Sequence, residues 1–295
     1  MMVAGLVAVA ALAGVSQAER LDIRPIEAPE KGRYGLLGFE IRAAWMDGFL
    51  QMRTPETLTS SMGLHFIDHD RPDMRPLSWL RPWPKWSRDD RTGALTYAVR
   101  TAEGVEFRAR AVPGRGRIEM EFRVRNRSST RVRNVGNQMC LVMTGSGDFG
   151  DRNTLARTWV FRDGRPFDLT SATPTPKDKG REPWVLMLTT AGVKGYGGPR
   201  DYADGWWVVD QVADVPLIAR TSADGRHLVA ISWDGGPLYV MTNARIPCLH
   251  AGPTNVYDLE PGKECVWRGA IWLMANDPRR LREAYERGWG RGGQR

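Results

Sequence analysis

A chain of 295 residues with a formal net charge of +8 and 42% hydrophobic residues has the balance of a globular protein. That excludes wholesale disorder and a collagen-like fibre, and it leaves room for one large domain, since all-β sandwiches often run to about 200–250 residues as a single unit. The 32 glycines, 19 prolines and 12 tryptophans favour short strands joined by turns. No complete catalytic signature is present.

Met1 to Ala18 carries no charged side chain, and an apolar run from Val3 to Val15 is followed by Ser16-Gln17-Ala18. Small residues stand at both positions that a signal peptidase reads. The pattern predicts a signal peptide over residues 1–18, cleaved before Glu19, and a mature chain that is secreted or periplasmic. The segment is too short for a comfortable transmembrane helix. No later stretch could span a bilayer, so no membrane contact is expected after cleavage.

Residues 19–94 read as aromatic and proline-rich loops. Within them, His65-Phe66-Ile67-Asp68-His69-Asp70 gathers two histidines and two acids. In a strand, Asp68 and Asp70 would share one face and His65, Ile67 and His69 the other, so no face collects a full metal set. Acid–base use and an ordinary polar loop remain open. Trp79, Trp83 and Trp86 follow in WLRPWPKWSRDD, where Pro82 and Pro84 forbid a helix interior. They form either a platform for sugar rings or a plug at one end of a sandwich.

Alternation begins in earnest at Val105. Phe107, Ala109 and Ala111 alternate with charges, then Ile118, Met120, Phe122 and Val124 do the same, with Pro113-Gly114 as the turn. Pairing Phe107 with Phe122 and Ala109 with Met120 sets Arg108 opposite Glu121, Arg110 opposite Glu119 and Glu106 opposite Arg123. Opposite-sign pairs at about 0.2–1 kcal/mol each favour that register. Cys140, in the apolar run QMCLVM, reads as a buried thiol. Asp148 and Asp151, around Phe149, are candidates for paired carboxylates or calcium ligands.

Gly195 to Trp207 is the most site-like segment, a glycine-rich loop with four aromatics, an arginine and two carboxylates. Tyr196, Trp206 and Trp207 could stack on sugars, Arg200 could neutralise a uronate carboxylate, and Tyr202 could serve as base or acid. An ordinary glycine-rich connection is the alternative. Two hairpins are then predicted: Val215–Thr221 with Arg226–Trp233 around Asp224-Gly225, and Arg226–Trp233 with Pro237–Thr242 around Asp234-Gly235-Gly236. Cys248 and Cys265 flank a turn-rich stretch, and in an oxidising compartment they are expected to form a disulfide. His250 beside them is either a structural histidine or a catalytic one. No cysteine pair has ligand spacing, so no metal is expected. Asp277-Pro278 starts a short helix with Leu281, Ala284 and Tyr285 as its apolar stripe.

The domain reading is thus residues 1–18 signal peptide, 19–276 β-sandwich, and 277–295 C-terminal helix and tail. The fold class is all-β, a large antiparallel β-sandwich with one short C-terminal helix. The positive charge is carried by 36 arginines against 6 lysines. Codon usage in a GC-rich genome accounts for that bias, and recognition of acidic polysaccharide is the functional alternative. No basic block carries a nucleic-acid motif.

The run from Gly93 through Arg123-Val124-Arg125-Asn126 and Cys140 resembles the galactose-mutarotase-like β-supersandwich. So does the stretch from Cys248-Leu249-His250-Ala251 through Leu259-Glu260-Pro261-Gly262 to Arg268-Gly269. The resemblance implies a supersandwich and a place among proteins that handle sugars, as epimerases or as domains of lyases and glycoside hydrolases. The histidine-centred signature of true mutarotases is missing, so epimerase activity is not implied. The expected function is carbohydrate binding, with polysaccharide or oligosaccharide as partner and no cofactor. Catalysis as a polysaccharide lyase or glycoside hydrolase would require Tyr202, Arg200, His250 and His65 to line one cleft. A non-catalytic envelope or assembly protein on the same scaffold is the alternative.

Overall fold

A computed structural model describes residues 20–27, 36–69, 74–172, 184–195, 202–203, 206–234, 236–252 and 256–289. Period-two alternation places one apolar set of each strand inward, and two large sheets bury those sets against each other. The core between them includes Phe39, Met52, Phe107, Phe122, Leu141, Leu249, Trp267 and Ile271.

The larger sheet has 11 strands. Its main path runs Asp22–Pro25, Gly38–Arg42, Leu50–Ser60, Val132–Val142, Cys248–Ala251, Tyr239–Asn243, Trp184–Thr189, Trp206–Ala213 and Tyr202–Ala203. Gly63–Ile67 pairs with Leu50–Ser60, and Tyr257–Leu259 pairs with Val132–Val142. The smaller sheet has 9 strands, in the order Arg165–Asp168, Thr158–Arg162, Leu217–Thr221, His227–Trp233, Glu264–Ala275, Arg117–Asn126, Val105–Pro113, Leu95–Arg100 and Ser87–Arg88. Pairing is antiparallel except between Trp184–Thr189 and Trp206–Ala213. The all-β sandwich expected from the alternation is the fold.

The hairpin of Val105–Pro113 and Arg117–Asn126 forms, but its register differs from the charge-based one. Phe107 pairs with Val124, Ala109 with Phe122 and Ala111 with Met120. The turn is Arg115-Gly116, closed by Gly114 N–H to Arg117 O at 2.8 Å, with Gly116 at φ 63°. Proline cannot take that positive φ, so Pro113 stays in the ladder opposite Ile118. Moving the turn by one residue shifts the register by two. A two-residue shift keeps every side chain on its face, so Phe107, Ala109, Phe122 and Val124 are all buried as expected. It does change the charge partners, and Arg108 now faces Arg123. Glu264 of the next strand answers both, at 3.6 Å from Arg108 and 2.9 Å from Arg123.

Leu217–Thr221 and His227–Trp233 form the expected hairpin, with Gly225 at φ 74°. The expected partner of His227–Trp233 across Asp234-Gly235-Gly236 is not a hairpin partner at all. His227–Trp233 lies in the smaller sheet and Tyr239–Asn243 in the larger one. The turn chemistry there carries the chain across the sandwich instead of back along it. At the C-terminus, Pro278–Trp289 is helical and Asp277 Oδ1 accepts from Arg280 N at 3.0 Å. Leu281 and Tyr285 pack on the outer face of the smaller sheet against Trp159, Phe161, Leu228 and Trp272.

The disulfide expectation is corrected. All three cysteines are free and buried. Cys265 sits in the smaller sheet opposite Val124, whereas Cys248 sits in the larger sheet opposite Val142. The turn-rich stretch between them crosses from one sheet to the other, so the ends of the loop are not neighbours.

Candidate functional site

The C-terminal helix does not lie flush on the smaller sheet. A cavity of about 680 Å³ opens between the helix, the ends of three strands and the segment around Trp45. Arg280, Ala284 and Arg287 fall on one stripe of the helix, at spacings of four and three, and all three line the cavity. Arg115 and Arg117 come from the tight hairpin turn, and Trp272 from the outward face of Glu264–Ala275. Among the described residues no carboxylate lines it. Glu119 and Glu283, outside the lining, form ion pairs with Arg117 and Arg287 at 3.5 and 3.9 Å.

Aromatic surface completes the wall. Trp45 stacks flat on His227, with ring centroids 3.7 Å apart and planes 6° from parallel. Partial burial lowers the pKa of His227 from its ordinary value, which favours the neutral ring against an indole at neutral pH. The Arg117 guanidinium lies 5.6 Å over the Trp272 ring, a cation–π contact that orients it. Nothing local in sequence marks this site. Its residues come from five distant segments, around Leu21, Trp45, Arg115, His227 and Trp272–Arg287, and only the Arg280–Arg287 stripe is legible as a helix face.

Among the described positions, His65 and Tyr202 do not come together. His65 lies on a strand at one end of the larger sheet and Tyr202 on the strand at the other end, seven strand steps away along the pairing order. At about 4.8 Å per step that is roughly 34 Å along the sheet. His65 is 1% exposed, its Nε2 is 2.8 Å from Ser60 Oγ, and burial lowers its pKa. Tyr196 and Arg200 lie outside the described residues. For Tyr202, Trp206 and Trp207 the strand positions alone are described. The tryptophan platform is also revised. Trp83 packs against Phe66 at 6.1 Å, and Trp86 against Tyr97 at 4.6 Å and Phe39 at 5.9 Å. Both plug the sandwich, while Trp79 is half-buried beside His65.

A second cluster lies on the face of the larger sheet turned away from the core. Leu50–Ser60 contributes Arg53 and Glu56, Val132–Val142 contributes Gln138 and Cys140, and Cys248–Ala251 contributes Cys248 and His250. Their neighbours Met52, Met139, Leu141 and Leu249 point into the core. The strand Gly63–Ile67 ends before Asp68, so the alternation stops and Asp68 and His69 meet, Oδ1 to Nδ1 at 2.7 Å. Arg53 reaches Asp68 at 3.3 Å, Gln138 Nε2 donates to Glu56 at 2.7 Å, and Glu56 lies 3.7 Å from His250 Nδ1. Burial pushes the Asp68 carboxyl up despite His69 and Arg53, and the hydrogen bond to Asp68 raises His69 in turn. The Asp68 side chain is 0% exposed and the His69 side chain 38% exposed, so a buried carboxylate backs an imidazole that solvent can reach. Such a pair can take and return a proton. Of the residues expected to be catalytic, His250 joins this cluster. Arg53 and Glu56 carried no signal in sequence, because residues 19–94 read as loops, and Gln138 carried none because it opens the apolar run QMCLVM.

No family model matches the chain, and no curated protein matches it. Among solved structures it is similar to the alpha-N-acetylgalactosaminidase NagBb from Bifidobacterium bifidum, at 16% identity over 91% of this chain and 37% of that one, with a TM-score of 0.45. It is similar to the Slr1438 protein from Synechocystis sp. PCC 6803, at 11% identity over 84% and 99% of the two chains, with a TM-score of 0.39. It is also similar to a galactose mutarotase related enzyme from Lactobacillus acidophilus, at 10% identity over 78% and 84%, with a TM-score of 0.35. The likeness is one of fold and carries nothing about substrate or reaction.

Proposed function

We propose that the protein is a secreted carbohydrate-binding protein that holds an acidic saccharide in the cavity beneath the C-terminal helix. The observation that carries this reading is four arginines, and among the described residues no carboxylate, lining about 680 Å³ of space. That volume falls within the usual range for small-molecule sites, about 300–1,000 Å³. Guanidinium groups bind carboxylates and sulfates in bidentate fashion, and the half-buried indole of Trp45 offers apolar surface of the kind that packs on sugar rings. The selectivity first sought in Arg200 is assigned here to Arg115, Arg117, Arg280 and Arg287.

Retention on uronic or sulfated oligosaccharide columns, compared with neutral ones, tests the proposal. The parent should be retained on the acidic columns and released as salt screens the charge. Arg280→Ala and Arg287→Ala should each weaken acidic retention about tenfold, equivalent to roughly 1.4 kcal/mol. A parent that binds no glycan, or arginine variants that bind like the parent, would overturn it. Secretion is tested separately by the mass of the exported chain, which should begin at Glu19.

A catalytic reading has an observation of its own, the Asp68–His69 pair with Arg53 behind it. In that reading His69 moves the proton in a lyase or hydrolase step on a polysaccharide. His69→Ala should then abolish the release of new reducing ends while leaving column retention intact. Release that persists in the variant would remove His69 from the chemistry.

A further inference from the structure

Cys140, Cys248 and His250 are each at most 4% exposed, and their ligand atoms all lie within 4.8 Å of one another. They come from two adjacent antiparallel strands and share the face turned away from the core. Cys248 and His250 are two residues apart, hence on the same side of one strand. Cys140 stands on the neighbouring strand, two residues from the Val142 that pairs with Cys248.

The geometry points to a site for a zinc-class divalent ion held by Cys140 Sγ, Cys248 Sγ and His250 Nε2. Packing explains two buried thiols, which behave as small apolar groups, and the buried histidine beside them brings a third ligand atom to the same point. Nδ1 of His250 lies 3.0 Å from the Met139 carbonyl, and Nε2 lies 3.1 Å from Cys248 Sγ. A proton on Nδ1 donated to that carbonyl leaves the Nε2 lone pair aimed at the sulfurs. That is the second-sphere bond that fixes a metal-binding imidazole. Tetrahedral zinc, with Zn–S of about 2.3 Å and Zn–N of about 2.0–2.1 Å, spaces its ligand atoms at roughly 3.3–3.8 Å. The three atoms need only small adjustments to reach that spacing.

A disulfide between Cys140 and Cys248 fits less well. The two are diagonal on neighbouring strands, where Cα atoms lie about 7–8 Å apart, beyond the usual 4.4–6.8 Å of a disulfide. Thiolate ligands select zinc over calcium or magnesium. Binding displaces one proton from each thiol to solvent, with no change of oxidation state, and the two thiolates neutralise the ion. Two cysteines and one histidine leave a fourth position open, the arrangement of zinc sites that bind water or substrate. The site is on the other sheet from the arginine-lined cavity, so it stands or falls independently of glycan binding.

Full-length protein, stripped with a chelator under mild reduction and then titrated with zinc, should take up one ion per chain. Cobalt in place of zinc should give a thiolate-to-metal charge-transfer band and a tetrahedral visible spectrum. Cys140→Ser, Cys248→Ser and His250→Ala should each weaken zinc binding at least a hundredfold, whereas Cys265→Ala should bind as the parent does. Because a variant could fail to fold, the parent spectrum is decisive by itself. A parent that binds no zinc, or a cobalt complex without the thiolate band, overturns the site. So does a single titratable thiol in the denatured parent without reductant, which would reveal a Cys140–Cys248 bond.

Discussion

Asp151 Oδ1 accepts from Arg220 Nη2 at 2.6 Å and is also bonded to Arg157. The Arg220 side chain is 0% exposed, so Asp151 is the counter-ion of a fully buried charge. In sequence, Asp148 and Asp151 looked like paired carboxylates for hydrolysis or calcium. In the structure Asp148 Oδ2 instead accepts from the Asp47 backbone N–H at 2.8 Å, and both carboxylates tie loops to strands. Burial pushes Asp151 up, but Arg220 and Arg157 outweigh it and hold the group below the ordinary carboxylate range. A depressed folded-state pKa contributes stability that is fully present above the unfolded value of about 3.9 and is lost as pH falls through the folded value. Urea midpoints followed from pH 5 downward should therefore fall, and the fall should be shallower in Asp151→Asn. At pH 7 that variant should lose about 2 kcal/mol, less than a fully buried pair would, because the Asp151 side chain is 41% exposed and screened by water. An unchanged midpoint at pH 7 would show that Arg220 is satisfied by Thr158 and the Asp151 carbonyl alone. No residue-level pattern could have foretold this, since the partners are 69 positions apart.

At the scale of the element, the hairpin of Val105–Pro113 and Arg117–Asn126 separates what alternation fixes from what it leaves free. Which face is buried follows from period two, and Phe107 and Phe122 are both 0% exposed. Phe122→Ala should cost about 3–5 kcal/mol by chemical denaturation, through lost transfer energy and a cavity. Register is a finer matter. Three exposed ion pairs at a few tenths of a kcal/mol each cannot outweigh a turn that needs positive φ at Gly116 and a proline outside it. The resulting Arg108–Arg123 juxtaposition is relieved by Glu264 from a third strand, a partner invisible to any two-strand argument. Glu264→Gln should destabilise by about 1 kcal/mol at low salt, and the loss should shrink at high salt as screening weakens the like-charge pair. A salt-independent effect would mean that Glu264 acts through packing. The Asp234–Gly236 turn teaches the same lesson, because turn chemistry states that the chain reverses but not onto which sheet.

For the whole molecule, the C-terminal helix closes the outer face of the smaller sheet and forms one wall of the arginine-lined cavity. Leu281 is 0% exposed against that sheet, so Leu281→Ala should cost about 2–5 kcal/mol. It should also weaken retention on acidic glycans, because Arg280 and Arg287 ride on the same helix. Full retention with the stability loss would place the binding arginines elsewhere. The sequence by itself determined the all-β class, the buried faces and the start of the helix at Pro278, because side-chain periodicity and capping act over a few neighbouring residues. It also carried the leader-like run over residues 1–18, which remains a matter for the exported chain's mass. Only the tertiary structure decided the rest. Cys248 met Cys140 and not Cys265 because a chain crossing the sandwich changes sheets between them. The cavity arose because segments around Trp45, Arg115, Trp272 and Arg280 converge, and the acid–base cluster because four separate segments share an outer face. Strand order and crossover are set by how two whole sheets bury their apolar faces, a condition that no local stretch of sequence expresses.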